Sequence, residues 1–282
     1  MKLSLLIASR GRPVELLRTI AEIDRRVAKP DDLTISVALD SDDGSNPPAP
    51  ETRSQLVWHI GDREDSLGAK YNRAARFALA QAYVLGADDN IFTTDGWDEL
   101  IRQRMLEFPA CFGFVYFGRL DGTLPTNMAI PHRLIERQGF MFPEFWPVWF
   151  HDTWTDEIAH MTGRILWAQI DVEEIGGRGK SRGVRDVAFW AALFDATRPF
   201  RAELATELSR EHNPQWLQTQ LAQRRDILNL YFASRMARLR DPATAHAFEQ
   251  RMSFDAPDDE RYRRIKAQAE AMMSARPKEE AA

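Results

Sequence analysis

The first half of the chain alternates short apolar runs with amphipathic stretches, and the second half reads as helices alone. Leu3-Ser-Leu-Leu-Ile-Ala8 is an apolar run of strand length. Pro13 then opens a pattern of period 3.6 with Leu16, Leu17, Ile20 and Ile23 on one face. A second apolar run, Leu33 to Leu39, ends in Asp40-Ser-Asp-Asp-Gly-Ser45. The order is strand, helix, strand, with polar groups gathered at the strands' C-terminal ends, the edge at which open α/β sheets bind ligands. A further apolar segment, Ala82 to Ala87, delivers Asp88 and Asp89, followed by Ile91-Phe92 and a turn at Gly96-Trp97-Asp98. Phe112 to Phe117 and Asn127 to Ile130 read as strands, and Pro131 begins a short helix ending at Gly139. The fold class is therefore α/β.

After residue 185 the period is helical. Asp186 to Ala196 carries Val187, Phe189, Trp190, Leu193 and Phe194; a second helix runs near Phe200 to Arg210 behind Pro199. Pro214 opens a long third helix, Asp241-Pro242 punctuates it, and two polar helices follow. The apolar faces of the first helices must bury against the α/β domain or a second subunit, so an oligomer through the C-terminal helices is one expectation. The organisation predicted is an α/β domain over 1–175, a Gly/Arg loop over 176–185 and a helical region over 186–282. No internal repeat or sustained heptad register is present.

Composition narrows the class. The chain has 282 residues, 44% hydrophobic and 28% charged, enough for one large core with an appendage. A net charge of -5 gives no global attraction to nucleic acid or anionic lipid. The single cysteine, Cys111, forms no intrachain disulfide and reads as a buried small hydrophobe. The N-terminus has the pattern of a strand rather than a signal peptide, and no apolar run approaches the roughly 20 residues of a membrane span. These features lead us to expect a cytoplasmic protein. No Walker phosphate loop is present, so ATP hydrolysis is not indicated.

Four segments carry candidate chemistry. Asp88 and Asp89 are adjacent carboxylates, which repel one another unless a cation sits between them or they reach water. A solvated turn is the plain alternative. Phe140-Met-Phe-Pro-Glu-Phe-Trp-Pro-Val-Trp-Phe150 reads as core packing beneath a loop, or as an aromatic platform on which Trp146 or Trp149 stacks against a sugar or a base. Asp152 and Asp156 lie one helical turn apart in His151-Asp-Thr-Trp-Thr-Asp-Glu157, where acidic residues also serve simply as an N-cap and first turn. Gly176 to Arg185 interleaves four glycines with four basic residues; it is a linker, or a loop that closes over phosphate.

Ala8-Ser9-Arg10-Gly11-Arg12-Pro13, Asp40 to Ser45, Leu67-Gly-Ala-Lys-Tyr-Asn-Arg-Ala-Ala75 and Asp88-Asp89 together resemble, in order and spacing, the nucleotide-sugar-binding half of family 2-like glycosyltransferases of the GT-A fold. The resemblance covers roughly the first 170 residues, a length typical of one domain. It implies a Rossmann-like, mostly parallel sheet and a nucleotide-diphosphate-sugar donor. Donor contacts would come from Ser9, Arg10, Arg12, Asp40, Lys70, Asn72 and Asp88, joined by Lys180 and Arg182 of the Gly/Arg loop, with Arg10 and Asp40 at the nucleoside. The family's metal motif is usually Asp-x-Asp, and here Ala87 stands in the first position. Asp89 is then the implied ligand of a divalent cation, Mn2+ or Mg2+, with Asp88 on the ribose side. The general base implied is Asp152, with Asp156 one turn later, and an inverting reaction follows by analogy. His132, His151 and His160 are further possible metal ligands, none singled out.

Three functional expectations arise. The first is a glycosyltransferase acting on a saccharide or glycoconjugate, including a lipid-linked precursor. The second is glycosylation of a hydroxymethylated base in DNA, suggested by the basic loop and by Arg224, Arg225, Arg235, Arg238 and Arg240, and opposed by the net negative charge. The third is a nucleotide- or sugar-binding module without activity, left open by the missing first Asp of the metal motif.

Overall fold

β1 (Leu3–Ala8), β2 (Leu33–Asp40), β3 (Gln55–Gly61) and β4 (Ala82–Ala87) form the parallel half of the sheet in a computed structural model. The structure describes residues 1–118, 127–146, 150–175, 187–211, 215–243 and 259–275. Sheet order across this half is β3-β2-β1-β4, and each neighbouring pair is parallel. That is the order of a mononucleotide-binding half, in which the chain leaves β1 toward one edge and returns on its other side at β4. β7 (Met128–Pro131) pairs antiparallel with both β4 and β6 (Phe114–Tyr116), and β8 (Ile165–Trp167) closes the seven-stranded, mostly parallel sheet beside β6. A separate ribbon joins β5 (Asn90–Phe92) to β9 (Val172–Glu174).

The central strands are buried on both faces, and successive residues feed different layers. Leu3, Leu5 and Ile7 face one core with Ile35, Val37 and Val84. Leu6, Tyr83, Phe114 and Met128 face the other. α1 (Pro13–Arg25) and α3 (Trp97–Leu106) cover the first face through Leu16, Ile20, Ile23, Trp97 and Ile101. α2 (Leu67–Arg76), α4 (His132–Gln138) and α5 (His151–Thr162) cover the second. Pro13 fits the first turn of α1, where its missing N–H costs nothing.

Beyond residue 187 the described chain is helical: α6 (Val187–Ala196), α7 (Arg198–Arg210), α8 (Gln215–Arg240) and α9 (Asp259–Ala275). Trp190, Phe194, Phe200, Phe232 and Ile265 join the core that holds Leu6 and Tyr83, so the helices share the second layer. α5 is buried almost throughout, because the sheet lies on one side of it and α7 and α8 on the other. Arg201 of α7 sits fully buried against Glu157 of α5, with its guanidinium over the rings of Trp154 and Phe194. No described helix is long and apolar enough to cross a membrane.

Candidate active site

The reversal of strand order between β1 and β4 opens a crevice at their C-terminal ends. The Ser9–Arg12 turn leaves β1 there, and Asp88-Asp89 leaves β4. The turn is fixed by its backbone. The Ser9 N–H donates to the Ala38 carbonyl at 3.1 Å. Gly11 takes φ +69, a conformation glycine adopts without strain, and its N–H donates to Asp43 Oδ2 at 2.6 Å. The acidic pair is equally fixed: Thr19 Oγ1 donates to the Asp88 carbonyl at 3.0 Å and the Ile175 N–H to the Asp89 carbonyl at 2.8 Å.

The two pieces meet through charge. Ser9 Oγ donates to Asp88 Oδ2 at 2.7 Å. Arg12 Nη1 lies 2.9 Å from Asp88 Oδ1 and 2.7 Å from Asp89 Oδ2, bridging both carboxylates. Of the two ways to relieve this pair, a cation or water, the structure shows a cation, a guanidinium of the same chain. Burial raises the Asp88 pKa, opposed by Ser9 and Arg12 and reinforced by Asp89. Burial also works against the charge on Arg12, yet the bond to Asp89 and the fields of Asp88, Asp89 and Glu15 outweigh it and raise its pKa.

Asp40 sits at the end of β2, wholly buried, and three cations converge on it: Lys70 Nζ at 2.6 Å, Arg10 Nη1 at 2.9 Å and Arg73 Nη2 at 3.3 Å. Arg10 also forks onto Asp42, whose pKa it lowers. Asp40 therefore lies beneath a basic cluster and holds it, and Arg10 is the most exposed of the three cations. Arg73 is absent from the sequence expectation. The signal for it was its place three residues after Lys70, on the same face of α2.

α2 aims Lys70 because its first turn is pinned. The Ser66 hydroxyl caps it by accepting the Ala69 N–H at 3.0 Å. At Gly68 a Cβ would come within 2.8 Å of both the Pro143 carbonyl oxygen and His151 Nε2, so the helix approaches the segment leading into α5 as closely as glycine allows. Asn72 does not join the basic cluster. Its Oδ1 accepts the N–H groups of Met141 and Phe142 at 2.8 and 2.9 Å, and its Nδ2 donates to the Phe142 carbonyl and Glu144. It clamps the aromatic stretch to α2.

α5 starts after Phe150, whose φ of 71 turns the chain sharply into the helix. Asp152 in its first turn is half-buried; its Oδ1 accepts the Thr153 N–H at 2.8 Å, and Oδ2 has no hydrogen-bond partner among the described residues. Burial raises the Asp152 pKa, countered by Thr153 and reinforced by Asp156. Tyr71 of α2 reaches β4. Its phenol is buried, donates to the Gly86 carbonyl at 2.7 Å, and has its pKa raised first by burial and then by the fields of Asp88, Asp89 and Asp152.

Asp156 stands apart. It is fully buried, accepts Tyr116 Oη at 2.7 Å, and lies 3.2 Å from His160 Nδ1 and 3.2 Å from Arg235 Nη1 of α8. Burial first, then Asp156, raises the Tyr116 pKa well above its ordinary value. These contacts dock α8 on α5. His132 meets Tyr83 Oη at 3.2 Å, His151 packs edge-on against Phe142, and His160 belongs to the Asp156 network. Among the described residues no group of three or more His, Cys, Asp and Glu is placed to hold a metal ion. Asp88 and Asp89 still suit a cation that brings phosphate oxygens with it, because one or two carboxylates suffice for such an ion and the pair already binds a positive charge.

At Trp146 the aromatic stretch takes the first of its two expected readings, core packing. Trp146 is fully buried and packs against Phe150 at 5.1 Å and Trp190 at 5.7 Å, so it is core and offers no face to a sugar. Trp149, Lys180 and Arg182 lie outside the described residues.

No protein-family model matches the sequence. No curated protein matches it either. Solved structures are similar at low identity. A mannosyltransferase from Pyrobaculum calidifontis, in complex with GDP-Man and Mn2+, is 16% identical with a TM-score of 0.48 over 97% of this chain and 86% of that one. S. aureus TarS 1-349 in complex with UDP is 12% identical with a TM-score of 0.47 over 96% of this chain and 92% of that one. A longer S. aureus TarS chain is 13% identical with a TM-score of 0.46; the match covers 60% of this chain and 35% of that one.

Proposed function

We propose that the protein is a glycosyltransferase that moves a sugar from a nucleotide-diphosphate donor to an acceptor hydroxyl, with inversion at the anomeric carbon. The observation that carries this reading is the pairing, at the C-terminal ends of β1, β2 and β4, of the Asp88–Asp89 carboxylates with the basic cluster on Asp40, whose Lys70 Nζ reaches to 3.4 Å from the Ser9 carbonyl. A strand-order reversal lined by fixed cations suits a nucleoside diphosphate, and a carboxylate of raised pKa across the crevice suits proton removal from the attacking hydroxyl.

The roles divide as follows. Lys70, Arg10 and Arg73, held by Asp40, attract the donor's phosphates and orient them. Ser9 fixes the rotamer of Asp88, which faces the ribose side. Asp89, aided by Asp88, would hold a divalent cation, which when bound neutralises charge developing on the leaving diphosphate. Asp152 accepts the acceptor's proton through Oδ2, the oxygen that Thr153 leaves unengaged. Base and leaving group lie on different elements, which suits a single displacement. The base role falls to Asp152 alone, because Asp156 is enclosed by Tyr116, His160 and Arg235.

For the acceptor we propose a saccharide or glycoconjugate hydroxyl. The DNA reading loses support, since Arg235 turns inward to Asp156 and Arg240 pairs with Asp195. The test incubates the protein with a panel of nucleotide sugars and Mn2+ and measures nucleoside diphosphate release with and without saccharide acceptors. Release from one donor that vanishes in Asp152→Asn is expected. No release from any donor leaves a binding module, and release stimulated by hydroxymethylated DNA moves the acceptor to DNA.

A further inference from the structure

We propose that Arg12 is an internal stand-in for the metal: it closes the Asp88–Asp89 pair in the donor-free protein and leaves it when cation and nucleoside diphosphate bind together. The inference rests on reading that pair as the donor site.

Three observations lead to it. First, one guanidinium nitrogen lies within 2.9 Å of Asp88 and 2.7 Å of Asp89, so it occupies the position a bridging cation needs. A dication and a guanidinium cannot share that position, because each repels the other at such range. Second, Asp88 and Asp89 are tied to the fold by groups other than Arg12. Their backbones are held by Thr19 and Ile175, and Ser9 holds Asp88 Oδ2. Among the described residues the ion pairs of the Arg12 side chain are with the acidic pair, and it is the most exposed of the three at 24%. Third, the turn beneath it is held by other means. Asp43 binds the Gly11 N–H, and Asp40 and Asp42 hold Arg10, so Arg12 can swing without moving the turn.

A long arginine released from a fixed turn at the crevice mouth finds a new partner in the donor's phosphates. The diphosphate thereby draws off the internal cation at the moment it delivers oxygens to the metal. Metal and nucleotide then bind cooperatively, and the acidic pair keeps a cationic partner when neither is present. Coupling of this kind falls between roughly 5- and 150-fold in affinity.

The experiment measures Mn2+ binding to the full chain by the loss of the free-ion paramagnetic resonance signal, with no turnover involved. Wild type, Arg12→Gln, Arg12→Lys and Asp89→Asn are compared alone and with UDP or GDP, after subtracting Mn2+ bound by free nucleotide. Wild type should bind Mn2+ weakly alone and at least about 5-fold more tightly with the nucleotide. Arg12→Gln should bind Mn2+ alone at least about 5-fold more tightly than wild type, with a smaller gain from nucleotide. Arg12→Lys keeps the charge and should stay weak alone. Equal Mn2+ affinity of wild type and Arg12→Gln, with binding still lost in Asp89→Asn, overturns the competition and leaves the metal site standing. No Mn2+ binding by any variant, with or without nucleotide, overturns both. Circular dichroism of Arg12→Gln confirms that the folded protein is being compared.

Discussion

Asp152 and Asp156 sit one turn apart on α5, and the structure separates what their amides should do. Asp156→Asn removes a charge that is fully buried and faces Arg235 at 3.2 Å, Tyr116 at 2.7 Å and His160 at 3.2 Å. Arg235, with a side chain only 10% exposed, is then left without its counter-charge. Breaking a buried pair from one side costs about 3–5 kcal/mol, which at about 2–4 °C per kcal/mol lowers the melting temperature by roughly 6–20 °C. Replacing both partners, in Asp156→Asn with Arg235→Met, should recover much of that loss, because no charge is then stranded. Asp152→Asn should behave oppositely. Its side chain is half-buried and among the described residues bonds to the neighbouring Thr153 alone, so stability should change little. Its kcat should fall by about 10²- to 10⁴-fold, with donor binding near wild type, since a base acts on the acceptor alone. Scanning calorimetry and initial-rate kinetics on the four proteins provide the readout. A stable, inactive Asp156→Asn beside an active Asp152→Asn would refute the assignment and move the base one turn along the helix.

Two further outcomes follow from the geometry. Gly68→Ala places a methyl 2.8 Å from the Pro143 carbonyl oxygen, a backbone atom that cannot step aside, so about 1–3 kcal/mol should be lost in denaturant unfolding. Activity should fall as well, because α2 carries Lys70 and α5 carries Asp152; unchanged stability and rate would show that the helix simply shifts. The acid limb of the rate profile should lie above the ordinary carboxylate range near ~4, since burial raises the Asp152 pKa and only the ionised form accepts a proton. Activity therefore rises with pH through that raised value, and a limb at or below the ordinary range would count against Asp152.

Much of the framework was legible in the sequence because it is written in strong local signals. The largely apolar run of β1, Pro13 at the start of α1 and Gly139 at the end of α4 each permit few conformations. β3 escaped notice because it is an edge strand, half-exposed along its length, with no clean alternation. The candidate site divides in the same way. Ser9, Arg12 and Asp88 meet at the ends of β1 and β4, and Arg10 and Lys70 meet Asp40 at the end of β2. The partner of the acidic pair was not legible: repulsion between Asp88 and Asp89 called for a cation or for water, and only the fold shows that Arg12, 76 residues away from Asp88, supplies the charge. Asn72 shows the reverse case: a polar residue in a donor-like motif clamps the backbone of Met141 and Phe142, which lie far from it in sequence.

The central claim, a nucleotide-sugar site at the β1–β4 crevice, is tested most directly by a crystal structure with a nucleoside diphosphate and Mn2+. The diphosphate is expected over Arg10, Lys70 and Arg73, with Mn2+ on Asp89 and Arg12 swung from the acidic pair to phosphate. Nucleotide bound elsewhere, with Arg12 still bridging Asp88 and Asp89, would contradict the account.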